Sequence, residues 1–466
     1  MKLAVIGGGS SYTPELIDTI LAHPEIPVSE VALYDIEASW SRLETVASMA
    51  QRMAARAERK ISINSTFDRR RAVDGAAFVI AQFRVGMMDA RVRDERIPVK
   101  HGLIGQETTG VGGFFAALRN IPVALDLCRD MQELSPDAWL LNFTNPAGLV
   151  TLAVRRYAKV RAVGLCNVPV GMKMAIARAL GVETGRLTLQ FFGLNHLSWV
   201  SRVWLDGLDV TERVLRAYAG GASAPPEPPQ GQGSTVAAAA ATGAASNGDA
   251  DARVDRDWEA EIVAGLGLIP SPYLRYYYFT DEVFRRERRI MATTGTRGEA
   301  VKGMESRLFS FYRDPATAHL PQELALRGGT RYSLAAVDFM GAVCGDTGEV
   351  MAVDTTNGAA MPDLPPDAVV EISCRVGAGG PTPLAVGRVP IKVRGLLHSV
   401  QTYEDLAAEA AVSGDHRTAI WALACHPLVP SYAVAHRVFY EMLRVHRRYL
   451  PAFGRAEHGG RAGEGP

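Results

Sequence analysis

Short apolar runs recur along the first half of the chain, and polar segments with helical spacing separate them. The first run, residues 2–6, leads into three consecutive glycines, and residues 15–21 then place apolar side chains on one helical face. A second run, residues 31–34, ends at Asp35. Such runs, bounded by glycine and polar residues, are typical of buried parallel strands. The chain is therefore predicted to begin with a strand, a glycine turn, a helix and a second strand.

The same alternation continues toward residue 200 and predicts a doubly wound α/β sheet. Residues 40–57 have the spacing of an amphipathic helix, and buried strands are predicted at 61–63, 76–82, 136–146, 161–166 and 188–196. At 466 residues the chain is too long for one small core. We expect an N-terminal Rossmann-type domain over residues 1–198, joined to a C-terminal α+β domain over residues 199–454.

The C-terminal half has a different pattern, with two segments that stand apart from it. Helices are predicted around 281–315 and over 403–449, and short strands with glycine and proline turns over 348–393. Residues 219–250 are dominated by Ala, Gly, Pro, Ser and Gln, a composition typical of an unstructured insertion. Residues 455–466 are predicted to be a disordered tail.

The stretch from residue 83 to residue 113 is rich in charged residues and glycine, and it follows a predicted buried strand. We expect a long polar loop there. Ligands bind beyond the carboxyl ends of strands in doubly wound sheets, so Arg91 and Glu107 become candidate site residues. Solvated surface ion pairs are the alternative explanation for such a run of charges.

The composition excludes several classes of partner. Lys plus Arg and Asp plus Glu both number 50, so neither a nucleic acid nor an acidic membrane surface is an expected partner. No apolar run is expected to span a bilayer. The 5 cysteines are odd in number and widely scattered, which favours a reducing compartment and hence a cytoplasmic protein.

The glycine turn has the features of a dinucleotide site. Gly7, Gly8, Gly9 and Ser10 precede a predicted helix whose N-terminal N–H groups attract a phosphate. Asp35 ends the next strand, where a carboxylate can accept hydrogen bonds from the two ribose hydroxyls. The arrangement predicts binding of NAD in preference to NADP.

Two further strand ends each carry one good metal ligand. Cys166 follows the predicted strand 161–166, and His196 ends the strand 188–196. One Cys and one His form half a metal site, and the open positions that remain are what a catalytic metal needs. Taken alone, both residues could equally be buried structural side chains, since Cys and lone His often are.

Five blocks together carry a resemblance to a known family. They are Val5-Ile6-Gly7-Gly8-Gly9-Ser10, Gly105-Gln106-Glu107-Thr108-Thr109-Gly110, Asn142-Phe143-Thr144-Asn145-Pro146, Gly164-Leu165-Cys166-Asn167-Val168-Pro169 and Gly193-Leu194-Asn195-His196. In this order they resemble glycoside hydrolase family 4, the NAD-dependent glycosidases. The resemblance implies a lactate/malate dehydrogenase-like fold and assembly as a homodimer or homotetramer.

The resemblance also implies 6-phospho-β-glucosidase activity on a phosphorylated disaccharide or aryl glycoside. In that mechanism NAD⁺ oxidises carbon 3 of the sugar, a tyrosinate removes the proton from carbon 2, the aglycone leaves, water adds and the hydride returns. By matching motif position Tyr273 resembles the base, with Tyr276 and Tyr277 as fallback candidates, and Glu107 resembles the residue that raises its basicity. The ion at Cys166 and His196 is implied to be Mn²⁺.

Substrate contacts follow from the same resemblance. Arg91, Asn145 and Arg297 match positions that bind the phosphorylated sugar, and arginine suits a phosphate because its planar fork donates two hydrogen bonds. Asn167 stands in the substrate site where α-acting members tend to carry Asp, which favours β specificity. Met87 follows Gly86 where the family commonly has two glycines.

Two other functions compete with this interpretation. One is an ordinary NAD-dependent dehydrogenase of a 2-hydroxy acid or sugar, which needs a His proton donor with an Asp partner and has no need of Cys166 with a metal. The other is a non-catalytic sensor of NAD and sugar phosphate. A sensor has no use for Tyr273 as a metal-activated base.

Overall fold

The computed structural model describes residues 1–220, 249–327 and 331–455. Most of the predicted insertion and all but the first residue of the predicted tail lie outside these residues. Six strands form a parallel sheet in the spatial order 3-2-1-4-5-6, the order of dinucleotide-binding folds. They are β1 (Lys2–Ile6), β2 (Glu30–Tyr34), β3 (Ser62–Thr66), β4 (Ala76–Ala81), β5 (Trp139–Asn142) and β6 (Arg161–Gly164).

Three strands from the C-terminal half extend this sheet to nine strands. They run antiparallel to their neighbours beside β6 and are β11 (Glu349–Thr356), β12 (Val369–Gly377) and β13 (Gly380–Pro383). A separate four-stranded antiparallel sheet contains β7 (Leu187–Leu194), β8 (Leu197–Leu205), β9 (Leu208–Asp209) and β10 (Ile269–Pro270). The N-terminal sheet is therefore completed by residues that follow it by nearly two hundred positions.

Helices cover the large sheet, and its central strands are buried on both faces as parallel strands require. The helices are Thr13–Ala22, Trp40–Arg56, Arg69–Val73, Met87–Lys100, Gly110–Leu134, Ala147–Tyr157, Asn167–Leu180, Thr211–Ala219, Asp249–Leu266, Arg275–Tyr278, Thr280–Thr293, Arg297–Arg313, Glu323–Leu326, Tyr332–Gly345, Ile391–Ser413, His416–Cys425, Tyr432–His446 and Ala452–Arg455. Short 3-10 turns lie at Glu37–Ser39, Thr184–Arg186, Pro272–Leu274 and Arg447–Tyr449.

The predicted polar loop over residues 83–113 is wrong. The structure has a helix at Met87–Lys100, and a second helix begins at Gly110. Some of the charges that suggested a polar loop are instead paired inside the protein: Asp94 forms a fully buried ion pair with Arg119. Buried ion pairs and surface charges have the same composition, so the sequence pattern could not separate them.

The helix Gly110–Leu134 runs through the centre of the molecule. Among the described residues it is the one helix long and apolar enough to cross a membrane, and 78% of its most apolar window is buried inside the protein. The helix packs in the core, where Phe114 and Phe115 are fully buried.

The two sheets contact each other through β7 and β12. Ser373 of β12 accepts a hydrogen bond from the backbone N–H of Phe191 at 2.9 Å and donates one to the carbonyl of Leu189 at 2.7 Å. These bonds dock the β7–β8 hairpin onto the extended end of the large sheet. The turn of that hairpin, Asn195–His196, thereby lies beside the end of β6.

We predict that Met87→Gly stabilises the protein. Met87 has a φ of +53°, in the left-handed region that costs an L-residue about 1–2 kcal/mol, and its side chain is 40% exposed. Glycine removes that strain with little loss of packing, so the free energy of unfolding should rise by about 1 kcal/mol. The melting midpoint would measure the gain.

Met88→Gly is the matched control, because Met88 lies in the same helix without a positive φ. It should lower the free energy of unfolding by about 1 kcal/mol, the usual cost of glycine in a helix. Equal destabilisation by both substitutions would contradict the strain at Met87.

Candidate active site

A two-residue hairpin presents His196. Leu194 at the end of β7 pairs with Leu197 at the start of β8, and Asn195 and His196 form the turn between them. His196 has a φ of +66°, which histidine adopts more readily than most residues. Its side chain is buried, and burial lowers its pKa to about 4. The imidazole is therefore neutral, as a metal ligand must be.

Cys166 reaches the same point from the large sheet. It lies directly beyond β6 as the N-cap of the helix Asn167–Leu180, and its sulfur accepts a hydrogen bond from the Val168 N–H at 3.4 Å. Its Sγ is 3.5 Å from Nε2 of His196. Burial, together with the nearby carboxylate of Glu371, raises the pKa of the thiol well above its usual value. A positive charge at the pair would favour the thiolate.

The Cys166–His196 pair fits a divalent cation with open positions. No group of three or more His, Cys, Asp or Glu side chains with metal-binding geometry occurs in the described ranges. A closed structural zinc site normally needs four protein ligands, whereas a catalytic site leaves positions for other oxygens. The pair provides two donors and leaves the rest of the coordination sphere to water or substrate.

Tyr273 packs directly on this pair. It lies in the 3-10 turn Pro272–Leu274, and its ring stacks on His196 with 3.8 Å between centroids and 7° between planes. Burial raises the pKa of Tyr273, and a hydrogen bond with Thr108 opposes that shift. The turn is fixed to β8 by a hydrogen bond from the Ser271 N–H to the Ser198 carbonyl at 2.9 Å.

The two neighbouring tyrosines lie farther from the pair. The ring centroid of Tyr276 is 5.8 Å from that of Tyr273. The guanidinium of Arg275 lies over the Tyr276 ring. Tyr277 directs its hydroxyl to Oγ1 of Thr109 at 2.7 Å. Of the three candidates, Tyr273 alone stacks on the His196 ring.

Glu107 lies at the centre of a buried charge network. It forms ion pairs with Arg84 and with Arg91, the latter at 2.9 Å, and Arg91 also pairs with Glu95 at 2.8 Å. Burial opposes ionisation of Glu107, but Arg84 and Arg91 hold its pKa below the usual range. The other oxygen of Glu95 accepts the Gly298 N–H at 2.7 Å, which connects the network to the helix Arg297–Arg313.

Arg297 begins that helix and completes the cationic side of the site. Its guanidinium donates to the carbonyl of Arg327 at 2.7 Å, and burial together with Arg91 lowers its pKa. The Arg327 guanidinium stacks on the ring of Tyr12, 3.9 Å from the centroid. Tyr12 follows the glycine turn, so these arginines lie near it.

Asn145 and Asn167 lie at two strand ends of the same rim. Asn145 precedes a cis peptide bond to Pro146, and its carbonyl accepts the amide of Asn120 at 2.8 Å. The Asn145 side chain hydrogen bonds with Tyr332. Asn167 follows Cys166 and accepts a long 3.9 Å contact from its thiol.

The glycine turn packs so closely against the second strand that side chains at Gly8 and Gly9 would clash. A Cβ on Gly8 would be 2.9 Å from Cβ of Leu33, and one on Gly9 would be 2.9 Å from Oδ2 of Asp35. The Gly9 N–H donates to that same Asp35 oxygen at 2.9 Å. Gly7 has a φ of +89°, and the helix Thr13–Ala22 begins shortly after Ser10. The turn is thus bare backbone at a helix N-terminus.

The predicted residues form adjoining groups on one rim. The glycine turn and Asp35 form one group, Cys166, His196 and Tyr273 a second, and Arg91 with Glu107 a third. Tyr332 joins them, because its ring contacts Tyr12 with 5.8 Å between centroids while its hydroxyl reaches Asn145.

Sequence reasoning missed three of the side chains here. Arg84 lies three residues beyond the end of β4, so the strand-end rule that selected Arg91 and Glu107 could have found it. Arg327 and Tyr332 flank residues 328–330 in the C-terminal half, and no local motif marks them. Their contacts with Tyr12 depend on packing across the whole chain.

Two family models match consecutive parts of the chain. A Family 4 glycosyl hydrolase model matches residues 2–182, and a Family 4 glycosyl hydrolase C-terminal domain model matches residues 191–429. The chain belongs to glycosyl hydrolase family 4. The resemblance carried by the five sequence blocks is confirmed, and the protein is a glycoside hydrolase by family.

Relatives of this family 4 enzyme align along almost its whole length. A probable 6-phospho-beta-glucosidase of Bacillus subtilis (strain 168) is 43% identical over 455 residues, covering 97% of this chain and 98% of its own. The structure of the 6-phospho-beta glucosidase from Thermotoga maritima with manganese, NAD+ and glucose-6-phosphate has a TM-score of 0.84 at 34% identity, covering 96% of this chain and 99% of that chain.

The fold class predicted for this family 4 enzyme is also confirmed. Cryptosporidium parvum malate dehydrogenase matches with a TM-score of 0.50 at 11% identity, covering 88% of this chain and 99% of that chain. At that identity the likeness concerns the fold alone. The Rossmann-type sheet and the joined C-terminal domain are shared.

Glu107→Gln should destabilise the family 4 enzyme at neutral pH, because it leaves Arg84 and Arg91 without their buried partner. Breaking a buried ion pair costs about 3 kcal/mol. The folded pKa of Glu107 lies below its ordinary 4.5, so its stabilising contribution is complete above that pH and is lost as the pH falls. The difference in melting midpoint between variant and wild type should therefore shrink below pH 4.5.

Glu37→Gln provides the control, since Glu37 is an exposed carboxylate. It should change the melting midpoint little at any pH. A pH-independent difference between Glu107→Gln and wild type would show that the ion pairs do not stabilise the folded state.

Proposed function

We propose that this enzyme hydrolyses 6-phospho-β-glucosides by oxidation at carbon 3, proton abstraction at carbon 2, elimination, water addition and re-reduction. One observation carries the proposal: Tyr273 stacks on His196, His196 lies beside Cys166, and Tyr332 links this group to Tyr12, which follows a dinucleotide-type glycine turn. A metal pair, a candidate base and a redox-cofactor site in one place match this chemistry. The identity of 43% to a probable 6-phospho-beta-glucosidase supports the substrate class.

The cofactor we propose is NAD, with its pyrophosphate over Gly7, Gly8, Gly9 and Ser10. Asp35 accepts the Gly9 N–H and the Ile36 N–H at 2.9 and 2.8 Å, and its remaining lone pairs fit a ribose hydroxyl pair. A carboxylate there repels a 2′-phosphate, which favours NAD over NADP. When bound, NAD supplies a hydride acceptor and the divalent ion supplies Lewis-acid stabilisation of sugar oxygens.

The metal we propose is Mn²⁺, held by Cys166 and His196. The neutral imidazole and the buried thiol provide two donors, and the manganese in the Thermotoga maritima structure supports the choice of ion. The hydroxyl oxygens at carbons 2 and 3 of the sugar fit the open positions. The thiolate would by softness also suit zinc.

Tyr273 removes the proton from carbon 2 in this proposal. Its ring is held flat against His196, so its hydroxyl lies near any sugar that contacts the metal ligands. Burial and the negative charge of Glu107 both raise its pKa, which makes the tyrosinate a stronger base once formed. Glu107 itself is fixed by Arg84 and Arg91 and does not touch the sugar carbon in this assignment.

Arg91, Arg297, Asn145 and Asn167 bind the phosphosugar. The two arginines are close enough for Arg91 to lower the pKa of Arg297, and such a concentration of positive charge suits a phosphate dianion. Asn145 and Asn167 offer amides that hydrogen bond sugar hydroxyls. The amide of Asn167 does not ionise, so it cannot protonate a leaving oxygen as an Asp would, which supports β specificity.

Three broader features belong to the same proposal. The division into residues 1–198 and 199–454 stays a prediction, supported by the gap between the family models at 182 and 191. Cytoplasmic location is supported by the five cysteines, all of them free. A homodimer or homotetramer is supported by the exposed aromatic side chains of Trp421, Tyr432 and Tyr440.

The direct test is hydrolysis of 4-nitrophenyl β-glucoside 6-phosphate in heavy water, with NMR of the released sugar. We expect deuterium at carbon 2, and no cleavage when either NAD⁺ or Mn²⁺ is withheld. Cleavage without exchange would indicate a conventional glycosidase. Absence of cleavage with NADH accumulating on other hydroxy compounds would support the dehydrogenase alternative.

Tyr273→Phe should lower kcat about 10³-fold and abolish deuterium incorporation, because a positioned base contributes that order of rate. Tyr277→Phe is its matched control: it removes a hydroxyl that bonds Thr109 instead, and should leave kcat within a few-fold of wild type. A larger loss in Tyr277→Phe than in Tyr273→Phe would reassign the base.

A further inference from the structure

Two buried carboxylates lie behind the Cys166–His196 pair. Asp354 of β11 and Glu371 of β12 are cross-strand neighbours, and each is 1% exposed. The strands that carry them are the two that extend the large sheet beyond β6. Neither residue stands in a motif that the proposed function uses.

Glu371 forms two hydrogen bonds to the hairpin that presents His196. Its Oε1 accepts the side-chain amide of Asn195 at 3.0 Å, and its Oε2 accepts the hydroxyl of Ser198. Asn195 also accepts the backbone N–H of Gly148 at 3.3 Å. The carboxylate thus holds residues on both sides of a ligand whose backbone is in the left-handed region.

Asp354 occupies the equivalent place behind Cys166. It pairs with Gly164, two residues before the cysteine, and a Cβ on Gly164 would be 2.8 Å from Oδ2 of Asp354. Both carboxylate oxygens are buried without a hydrogen-bond partner among the described residues. Each member of the metal pair therefore has a buried carboxylate directly behind it.

These carboxylates lack a cation. Across the part of the chain that the structure describes, no Lys, Arg or His side chain forms an ion pair with Asp354 or Glu371. Burial raises the pKa of Glu371 to about 7 and that of Asp354 well above its ordinary value. Burying two acids without a partner costs several kcal/mol, and a nearby positive charge would offset this cost.

We propose that Asp354 and Glu371 form the outer shell of the metal site and raise its affinity for a divalent cation. Glu371 fixes the hairpin that carries His196. A cation at the pair would favour ionisation of both acids, which then add negative charge behind the two donors. Outer-shell partners typically change metal affinity 10–100-fold. The inference rests on the proposed metal site, which it extends to residues that need not touch the ion.

The test is a titration of the full-length protein with Mn²⁺, in which the EPR signal of the free ion gives the dissociation constant. Glu371→Gln and Asp354→Asn, nearly isosteric and neutral, should each weaken Mn²⁺ binding at least tenfold. NAD⁺ affinity, measured separately without metal, should change less than twofold. Ser198→Ala removes one hydrogen bond to Glu371 without changing charge and should weaken Mn²⁺ binding less.

Ser373→Ala is the structural control. It lies on the same strand as Glu371 and removes bonds that dock β7, but it carries no charge. Because it weakens the docking of the hairpin without removing a charge, it should lower Mn²⁺ affinity less than Glu371→Gln does. An equal loss in this variant would reduce Glu371 to a packing residue and overturn the inference. Should a carboxylate variant fail to fold, Ser198→Ala should lower Mn²⁺ affinity more than Ser373→Ala, because Ser198 bonds Glu371 directly. An equal loss in the two serine variants would overturn the role of Glu371.

Cys166→Ser separates this inference from the proposed function. Wild type should bind Mn²⁺ and Cys166→Ser should not. The outer-shell inference alone would be overturned if both carboxylate variants bound Mn²⁺ as tightly as wild type while Cys166→Ser did not bind it. A wild type that binds no Mn²⁺ would overturn the metal site of the proposed function as well.

Discussion

The candidate site depends on the docking of one hairpin against one strand. Cys166 comes from the end of β6 in the large sheet, whereas His196 comes from the turn of a separate antiparallel sheet. The contact between β7 and β12, made by Ser373 and reinforced by Glu371, and the bond from Gly148 to Asn195 hold the two residues within 3.5 Å. Tyr273 then stacks on His196, so its position depends on the same contact. A shift of the hairpin would move His196 and Tyr273 together away from Cys166.

The site has two parts of opposite charge. Around Glu107 three arginines, Arg84, Arg91 and Arg297, face two carboxylates, Glu107 and Glu95, so one positive charge remains for an anionic ligand. Behind Cys166 and His196 the reverse holds, because two carboxylates are buried without a cation. A sugar phosphate and a divalent ion are complementary to these two parts. In the proposed function, this separation of charge would orient a substrate that carries both a phosphate and hydroxyl groups.

Local features of the site could be predicted from the sequence because local residues determine them. The glycine turn and Asp35 lie at consecutive strand ends, and Cys166 follows an apolar run, so strand boundaries were enough to select them. Contacts across the chain were beyond that reasoning. Tyr332 approaches Asn145 and Tyr12 only through the packing of the C-terminal half, and the helix Met87–Lys100 was taken for a loop because its buried ion pairs have a surface-like composition.

The completion of the large sheet by β11 and β12 has a consequence for biosynthesis. The parallel strands leave the ribosome first, but the strands that cover β6 follow after residue 348. Until then the edge of β6 is unpaired and the thiol of Cys166 is uncovered, a state in which nascent chains are prone to aggregate. Contacts this distant in sequence also close slowly. The candidate site can thus assemble only late in synthesis, and chaperone protection of the nascent N-terminal half would matter most during that interval.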